Sequence, residues 1–170
     1  IPAWQVEYLY PWIKDGKDVE QRMKLATLVR PAVKDQPEMD RRFAMLIIED
    51  LLVKKDATGA NEQARAFLKQ YPKSGDAWRL VARSSEAVNQ PFEADRAWNV
   101  ITDKAVPTMP IWWEGMLSRV RIRTQSNRPD EACPLLKQLL KQQQYVPADF
   151  KDEFNAARGS ARCATAQAAN

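Results

Sequence analysis

Histidine is absent from all 170 residues of this sequence, which removes the commonest general base and metal ligand together. Only 5 glycines occur, and this scarcity argues against a glycine-rich nucleotide-binding loop. No apolar run is long enough to cross a membrane, so no transmembrane segment is predicted. From these absences we expect a protein that is not an enzyme and that holds no metal or cofactor.

Charge is mild and mixed along the chain. The formal net charge is +4, and the basic residues are interspersed with acidic ones instead of forming a block, so nucleic-acid binding is not indicated. The shares of hydrophobic residues, 45%, and charged residues, 28%, are ordinary for a folded soluble protein. We therefore expect a globular chain.

Residues 74–101 contain two helical patterns joined by a turn at Pro91. The apolar face of the first pattern consists of Trp78, Val81, Ala82, Ser85 and Val88. The face of the second consists of Ala94, Ala97, Trp98 and Ile101. Small alanines opposite large tryptophans let two helices approach closely, so this stretch predicts an antiparallel helical hairpin with Trp78 and Trp98 buried.

This unit resembles a tetratricopeptide repeat. The matching positions are Trp78, Val81, Ala82, Ala94 and Trp98, followed by Pro107 near the closing proline of the family. Ser85 and Asn89 depart from the pattern, since the family has an aromatic residue and a glycine there. The resemblance implies an all-α, right-handed α-solenoid of antiparallel helix hairpins. The alternative, a generic helical hairpin, is all-helical as well.

The rest of the chain divides around this unit. Residues 1–36 are predicted to be an N-terminal capping segment: a short helix or packing arm, then a helix that Pro31 kinks or shortens. Residues 37–170 are predicted to be the repeat array with a C-terminal capping helix. Its first helix is apolar almost all round between Phe43 and Ile48, which is typical of a central helix. Beyond Ala164 the composition is small and polar, and we expect fraying there.

The two cysteines lie on the last two predicted helices. In an antiparallel pair, Cys133 and Cys163 come within about a turn of facing each other, so a disulfide is feasible. The alternative is two buried free thiols in a cytosolic protein. A disulfide would indicate the periplasm or the cell exterior. The text FLKQYPKSGDAW also resembles repeats of bacterial cell-envelope proteins, which implies a bacterial periplasmic or secreted protein.

Two groups of carboxylates are candidates for chemistry. Asp149, Asp152 and Glu153 begin the last helix, where they either bind a metal or simply favour the positive end of the helix dipole. The pair Glu49-Asp50 lies in an apolar helix, where it either binds a ligand or pairs with Arg41, Arg42 or a neighbouring helix. We favour the structural alternative for both groups.

Aromatic and hydroxyl side chains offer no reaction either. For Trp112-Trp113 we expect one ring in the core and one exposed, since adjacent helical residues face different ways; the alternative is stacking on a base or sugar. The serines lack a histidine to activate them.

The resemblance also implies a binding face, because the first helix of each repeat lines the concave side in this family. Carried over from Trp78, the contact positions are Arg79, Arg83 and Glu86. With Met116 taken as the equivalent residue in the next repeat, they are Leu117, Arg121, Thr124 and Gln125. Stacked arginines would form a basic groove for the carboxylates of an acidic peptide or chain terminus. The alternative is that these arginines pair with neighbouring acids on a solvated face.

Our leading hypothesis is a protein-interaction scaffold that binds a peptide or a subunit of a bacterial envelope assembly. We expect a protein or peptide partner, no small-molecule substrate and no nucleic acid, with any membrane association made through partners. The alternatives are a structural helical domain of a larger enzyme or secretion machine, and a weak polyanion binder.

Overall fold

The structure is a computed structural model that describes residues 2–160 and 163. Those residues form nine α-helices and no strand, so the chain is all-α as predicted. The helices are α1 (Ala3–Lys14), α2 (Val19–Val29), α3 (Pro37–Val53), α4 (Ala57–Gln70), α5 (Gly75–Ala87), α6 (Pro91–Thr102), α7 (Pro110–Gln125), α8 (Pro129–Lys141) and α9 (Lys151–Ser160). The expected fraying beyond Ala164 lies outside the described residues.

The chain divides into two compact units, Ile1–Val88 and Asn89–Asn170. Helices α1 to α5 belong to the first unit, and α6 to α9 belong to the second. The boundary falls inside the stretch that was predicted to form a hairpin, so the pairing of α5 with α6 stays a prediction. The predicted division at residue 36 likewise stays a prediction.

In the first unit α3 is the central helix. It packs against α2, α4 and α5. Phe43 and Ile48 on this helix are both buried, in agreement with its apolar pattern. As the sequence predicts, α2 ends just before Pro31, and a 3₁₀ turn, Arg30–Val33, follows it. The Asp18 side chain caps the start of α2 by accepting hydrogen bonds from backbone amides of its first turn.

The N-terminal segment is a helix, α1, with Pro11 inside it. Val6 and Ile13 face the core of the first unit and are buried. The opposite face carries Trp4, Tyr8 and Trp12, which are 62%, 78% and 81% exposed. The bulky aromatic face of α1 is therefore its outer face.

Helices α3, α5 and α7 are each followed by a residue with a left-handed backbone conformation. Lys55, Asn89 and Asn127 are the described non-glycine residues with positive φ, at 62°, 57° and 54°. After α3, the Asp56 amide donates to the carbonyl of Leu51 at 2.9 Å, and after α7 the Arg128 amide donates to the carbonyl of Arg123 at 2.8 Å. After α3 and α7, the left-handed residue together with this long-range amide bond forms a Schellman C-cap.

In the second unit α7 is the central helix, packed against α6, α8 and α9. The buried core consists of Trp112, Trp113, Met116, Leu117, Val120, Leu136, Leu139 and Phe154. The expectation that one of the two adjacent tryptophans would be exposed is wrong. Because α7 has neighbours on several sides, two side chains that point in different directions from it are both buried.

A disulfide joins Cys133 to Cys163, with the sulfur atoms 1.97 Å apart. Cys133 lies on α8, and Cys163 packs against the core of the second unit just after α9. The predicted disulfide is present, and it ties the end of the described chain to α8.

Candidate functional site

A concave pocket of about 250 Å³ lies between α7 and α9 in the second unit. Its lining residues are Leu117, Val120, Arg121, Thr124, Gln125, Glu153, Ala156 and Ala157. The α7 residues recur every three to four positions, so they share one face of that helix. On the opposite wall, the alanines of α9 have short side chains, so they leave space for a side chain of a binding partner.

The pocket has an apolar floor and a charged rim. Leu117 and Val120 are buried members of the core, and Ala157 packs against that core. At the rim, Arg121 donates to Glu153 at 2.5 Å, and these side chains are 41% and 40% exposed. Arg121 also donates to the hydroxyl of Ser118 at 3.1 Å. The rim therefore offers both charges to an incoming group while the floor accepts apolar surface.

The structure brings four of the predicted contact residues together in this pocket: Leu117, Arg121, Thr124 and Gln125. Leu117 is 1% exposed, so it forms the floor and is not the exposed contact that the repeat pattern implies. The Thr124 hydroxyl donates to the carbonyl of Val120 within α7. The other three predicted residues, Arg79, Arg83 and Glu86, lie on α5 in the first unit and do not line this pocket.

A repeated hydrogen bond gives a repeat alignment that differs from the one inferred from sequence. The Trp78 indole donates to the carbonyl of Pro72 at 3.0 Å, and the Trp113 indole donates to that of Pro107 at 2.7 Å, each across six residues. Trp113, and not Met116, is therefore the structural equivalent of Trp78. Trp78 itself is only half-buried, whereas Trp98 is buried as predicted.

In this alignment Arg121 of α7 corresponds to Glu86 of α5. Likewise, Glu114 corresponds to Arg79, and Ser118 corresponds to Arg83. This alignment of α5 with α7 thus does not place arginines at matching positions of the two helices. Arg121 is the contact residue that both alignments retain.

The remaining pocket residues, Val120, Glu153, Ala156 and Ala157, were missed as contacts by sequence reasoning. Glu153, one of the carboxylates at the start of the last helix, pairs with Arg121. Among the residues that the structure describes, no group of three or more potential ligands could hold a metal ion. The apolar face of the last helix is the sequence pattern that could have indicated the α9 wall of the pocket. The pattern does not show which helix that face packs against.

A second cluster in this unit is structural. Asp95 of α6 accepts hydrogen bonds from Arg119 at 3.1 Å and from Arg123 at 3.0 Å, and Arg128 lies 3.8 Å away. Arg119 also donates to the Thr102 hydroxyl at 2.9 Å. Burial lowers the pKa of the Arg119 guanidinium, and its hydrogen bond to Asp95 opposes that change. These ion pairs join α6 to α7, and none of these residues lines the pocket.

None of the helices in the described part of the chain has the length and apolar character needed to cross a membrane. A scan against protein-family models and searches of curated proteins and of solved structures found no match.

Proposed function

We propose that this protein is a non-enzymatic interaction scaffold of the tetratricopeptide-repeat type, and that the pocket between α7 and α9 receives a peptide segment of a partner protein. The observation that carries the proposal is the pocket itself, an apolar floor bordered by an exposed Arg121–Glu153 pair. Apolar anchors in pockets with a polar rim supply most of the binding energy in protein interfaces.

The size of the pocket favours a single side chain as its occupant. Sites for whole small ligands usually enclose roughly 300–1,000 Å³. At about 250 Å³ this pocket is smaller, so it suits one apolar anchor residue of a longer chain. A carboxylate beside the anchor would compete with Glu153 for the guanidinium of Arg121, since arginine binds carboxylates in a bidentate manner.

Two recurring features support the repeat architecture. The left-handed residues Lys55, Asn89 and Asn127 follow one another at intervals close to the tetratricopeptide repeat length of about 34 residues. The tryptophan-to-proline hydrogen bond also recurs at α5 and α7. We propose that these helices form antiparallel hairpins in a right-handed solenoid.

The disulfide supports an oxidising compartment. Disulfides persist in secreted and periplasmic proteins and are rare in the cytosol. With the bond between Cys133 and Cys163, a periplasmic or secreted location is the proposal we favour, and an envelope assembly is the proposed setting of the partner.

The test is selection from a random peptide display library with the oxidised protein. Ala156 lines the pocket from the exposed side of α9, so Ala156→Trp should fill the pocket without disturbing the core. The neighbouring Asn155 is exposed and does not line the pocket, so Asn155→Trp is the matched control. We expect enriched peptides to share an apolar anchor, to lose binding to Ala156→Trp and to keep binding to Asn155→Trp.

Two outcomes would count against this function. If no peptide is enriched, the result would favour the alternative that this chain is a structural helical domain of a larger enzyme or secretion machine. If both tryptophan variants bind the enriched peptides as well as the wild type does, the binding surface is elsewhere.

A further inference from the structure

A second groove, of about 590 Å³, lies entirely within the first unit. Its lining residues are Thr27, Arg30, Pro31, Lys34, Asp40, Ile47, Gln63 and Gln70. Helix α2 and its following 3₁₀ turn form one wall, α4 forms the other, and α3 forms the floor. None of the contact residues implied by the repeat resemblance lines this groove.

The groove is elongated along the helices that form it. Asp40 and Ile47 lie two turns apart on the floor, and Gln63 and Gln70 lie two turns apart on the α4 wall. Two turns of helix advance by about 10 Å. An extended chain rises about 3.3 Å per residue, so the groove matches roughly three residues of an extended peptide.

One wall presents positive charge that the protein holds in place. Arg30 donates from Nε to Asp40 at 2.6 Å and from Nη2 to the other carboxylate oxygen at 3.2 Å. Asp40 is buried, so this pair fixes the guanidinium, while Nη1 bonds to no residue that the structure describes. Lys34 is exposed and forms no ion pair within the described part of the chain. The groove therefore has two cationic side chains, Arg30 and Lys34, and only one carboxylate, Asp40, so it carries a net positive charge.

The opposite wall presents amide groups. Gln63 and Gln70 each carry a carbonyl acceptor and an NH₂ donor, the same groups as a peptide bond. The Gln70 NH₂ group donates to the Tyr71 hydroxyl at 3.2 Å, and the Gln70 carbonyl oxygen accepts no hydrogen bond from the described residues. Ile47 on the floor and Pro31 on the first wall add apolar surface.

We propose that this groove binds an extended acidic segment of a partner polypeptide. Lys34 and Arg30 receive a carboxylate, and the glutamine wall pairs with the peptide main chain. A nucleic acid fits less well, because no aromatic side chain lines the groove to stack on a base. The inference does not depend on the α7–α9 pocket, since no residue is shared between the two sites.

The test is fluorescence anisotropy on the whole oxidised protein with two capped, fluorescein-labelled peptides, one with a Glu-Val-Glu core and one with Gln-Val-Gln. We expect the glutamate peptide to bind about tenfold or more tightly than its glutamine counterpart, because a charge-assisted hydrogen bond is lost in the latter. Gln63→Ala combined with Gln70→Ala should weaken both peptides alike.

Charge reversal locates the site. Lys34→Glu should abolish the preference for the glutamate peptide, whereas Lys73→Glu, which makes the same charge change at an exposed position outside the groove, should retain it. Thermal melts check that both variants fold, and Lys34→Ala replaces the reversal if Lys34→Glu does not. Ala156→Trp should leave this binding intact, which separates it from the α7–α9 pocket.

Each contrary result overturns the inference. Absence of binding by either peptide removes the groove as a peptide site, and equal binding of both peptides removes the charge preference. Equal loss in Lys34→Glu and Lys73→Glu, or equally tight binding of an oligothymidylate, would show a general attraction to polyanions instead.

Discussion

Arg22 of α2 donates from Nε to both carboxylate oxygens of Asp50 on α3, at 3.0 and 2.9 Å. Nη2 of Arg22 also donates to Asp50. Asp50 is 1% exposed, so this bidentate pair neutralises a carboxylate inside the first unit. The hydrogen bond to Asp50 raises the pKa of the Arg22 guanidinium. Of the partners considered from sequence, the neighbouring helix is the correct one, because Arg41 and Arg42 pair instead with acids elsewhere.

Removing Arg22 should therefore be costly. We expect Arg22→Met to lower the free energy of unfolding by about 3–5 kcal/mol, because it leaves the Asp50 carboxylate buried without its partner. Urea denaturation measures this change. Arg42→Met is the control, since Arg42 pairs with Glu38 on the surface and such pairs contribute about 0–1 kcal/mol. Equal losses in the two variants would contradict the assigned role of Asp50.

A second prediction concerns the close approach of α6 and α7 at Gly115. A Cβ atom at this position would lie 2.7 Å from the Thr102 methyl group and 3.3 Å from the Trp98 ring. Thr102 is buried and hydrogen-bonded, so it cannot move aside easily. Gly115→Ala should cost about 1–3 kcal/mol by overpacking.

Gly159 is the matched control for this prediction, because a Cβ there meets nothing within 4 Å. Gly159→Ala, in the last turn of helix α9, should change the free energy of unfolding by no more than about 0.5 kcal/mol. Thermal melts of both variants check the pair. A melt of Gly115→Ala that equals the wild-type melt would refute the close packing of α6 and α7.

A third prediction concerns the disulfide, which closes a loop between residues 30 positions apart. In the chain-entropy model, reduction should lower the free energy of unfolding by about 3–4 kcal/mol. The double variant Cys133→Ser with Cys163→Ser should show the lower stability with or without reductant. Two free thiols titrated in unfolded, unreduced protein would show that the bond is absent.

A fourth prediction concerns alkaline pH. Burial raises the pKa of Tyr10 above its ordinary value of 10.0, and the ring lies 5.1 Å from that of Phe43 in an edge contact. The folded state favours the neutral phenol of Tyr10. Its contribution to the free energy of unfolding is therefore complete at pH values below the pKa of Tyr10 in the unfolded chain. That contribution is lost as pH rises from there through the folded pKa, because the unfolded chain releases its proton first.

Urea unfolding measured between about pH 9 and pH 11 tests this dependence. The free energy of unfolding should fall less steeply with pH in Tyr10→Phe than in the wild type. Tyr8→Phe, on the exposed face of the same helix, controls for removal of a phenol from α1. Identical slopes in wild type and Tyr10→Phe would contradict the burial of the Tyr10 hydroxyl.

Local sequence determined the helices of this protein and most of their ends. Spacing of apolar residues, together with prolines at helix starts, depends on contacts within one or two turns, so it predicts the all-α fold, the shortened α2 and the central α3. The disulfide could also be predicted from the sequence, because Cys133 and Cys163 lie on successive predicted helices. Only the mutual orientation of the two side chains had to be inferred.

Tertiary structure alone decided which faces meet. The Arg22–Asp50 pair joins residues 28 positions apart. The pocket wall of Glu153, Ala156 and Ala157 faces α7 directly, although α8 separates α7 from α9 along the chain. The burial of both Trp112 and Trp113 likewise depends on how many helices surround α7. An amphipathic pattern shows that a face must be covered but not by what, because the complementary shape and charge come from segments distant in the chain.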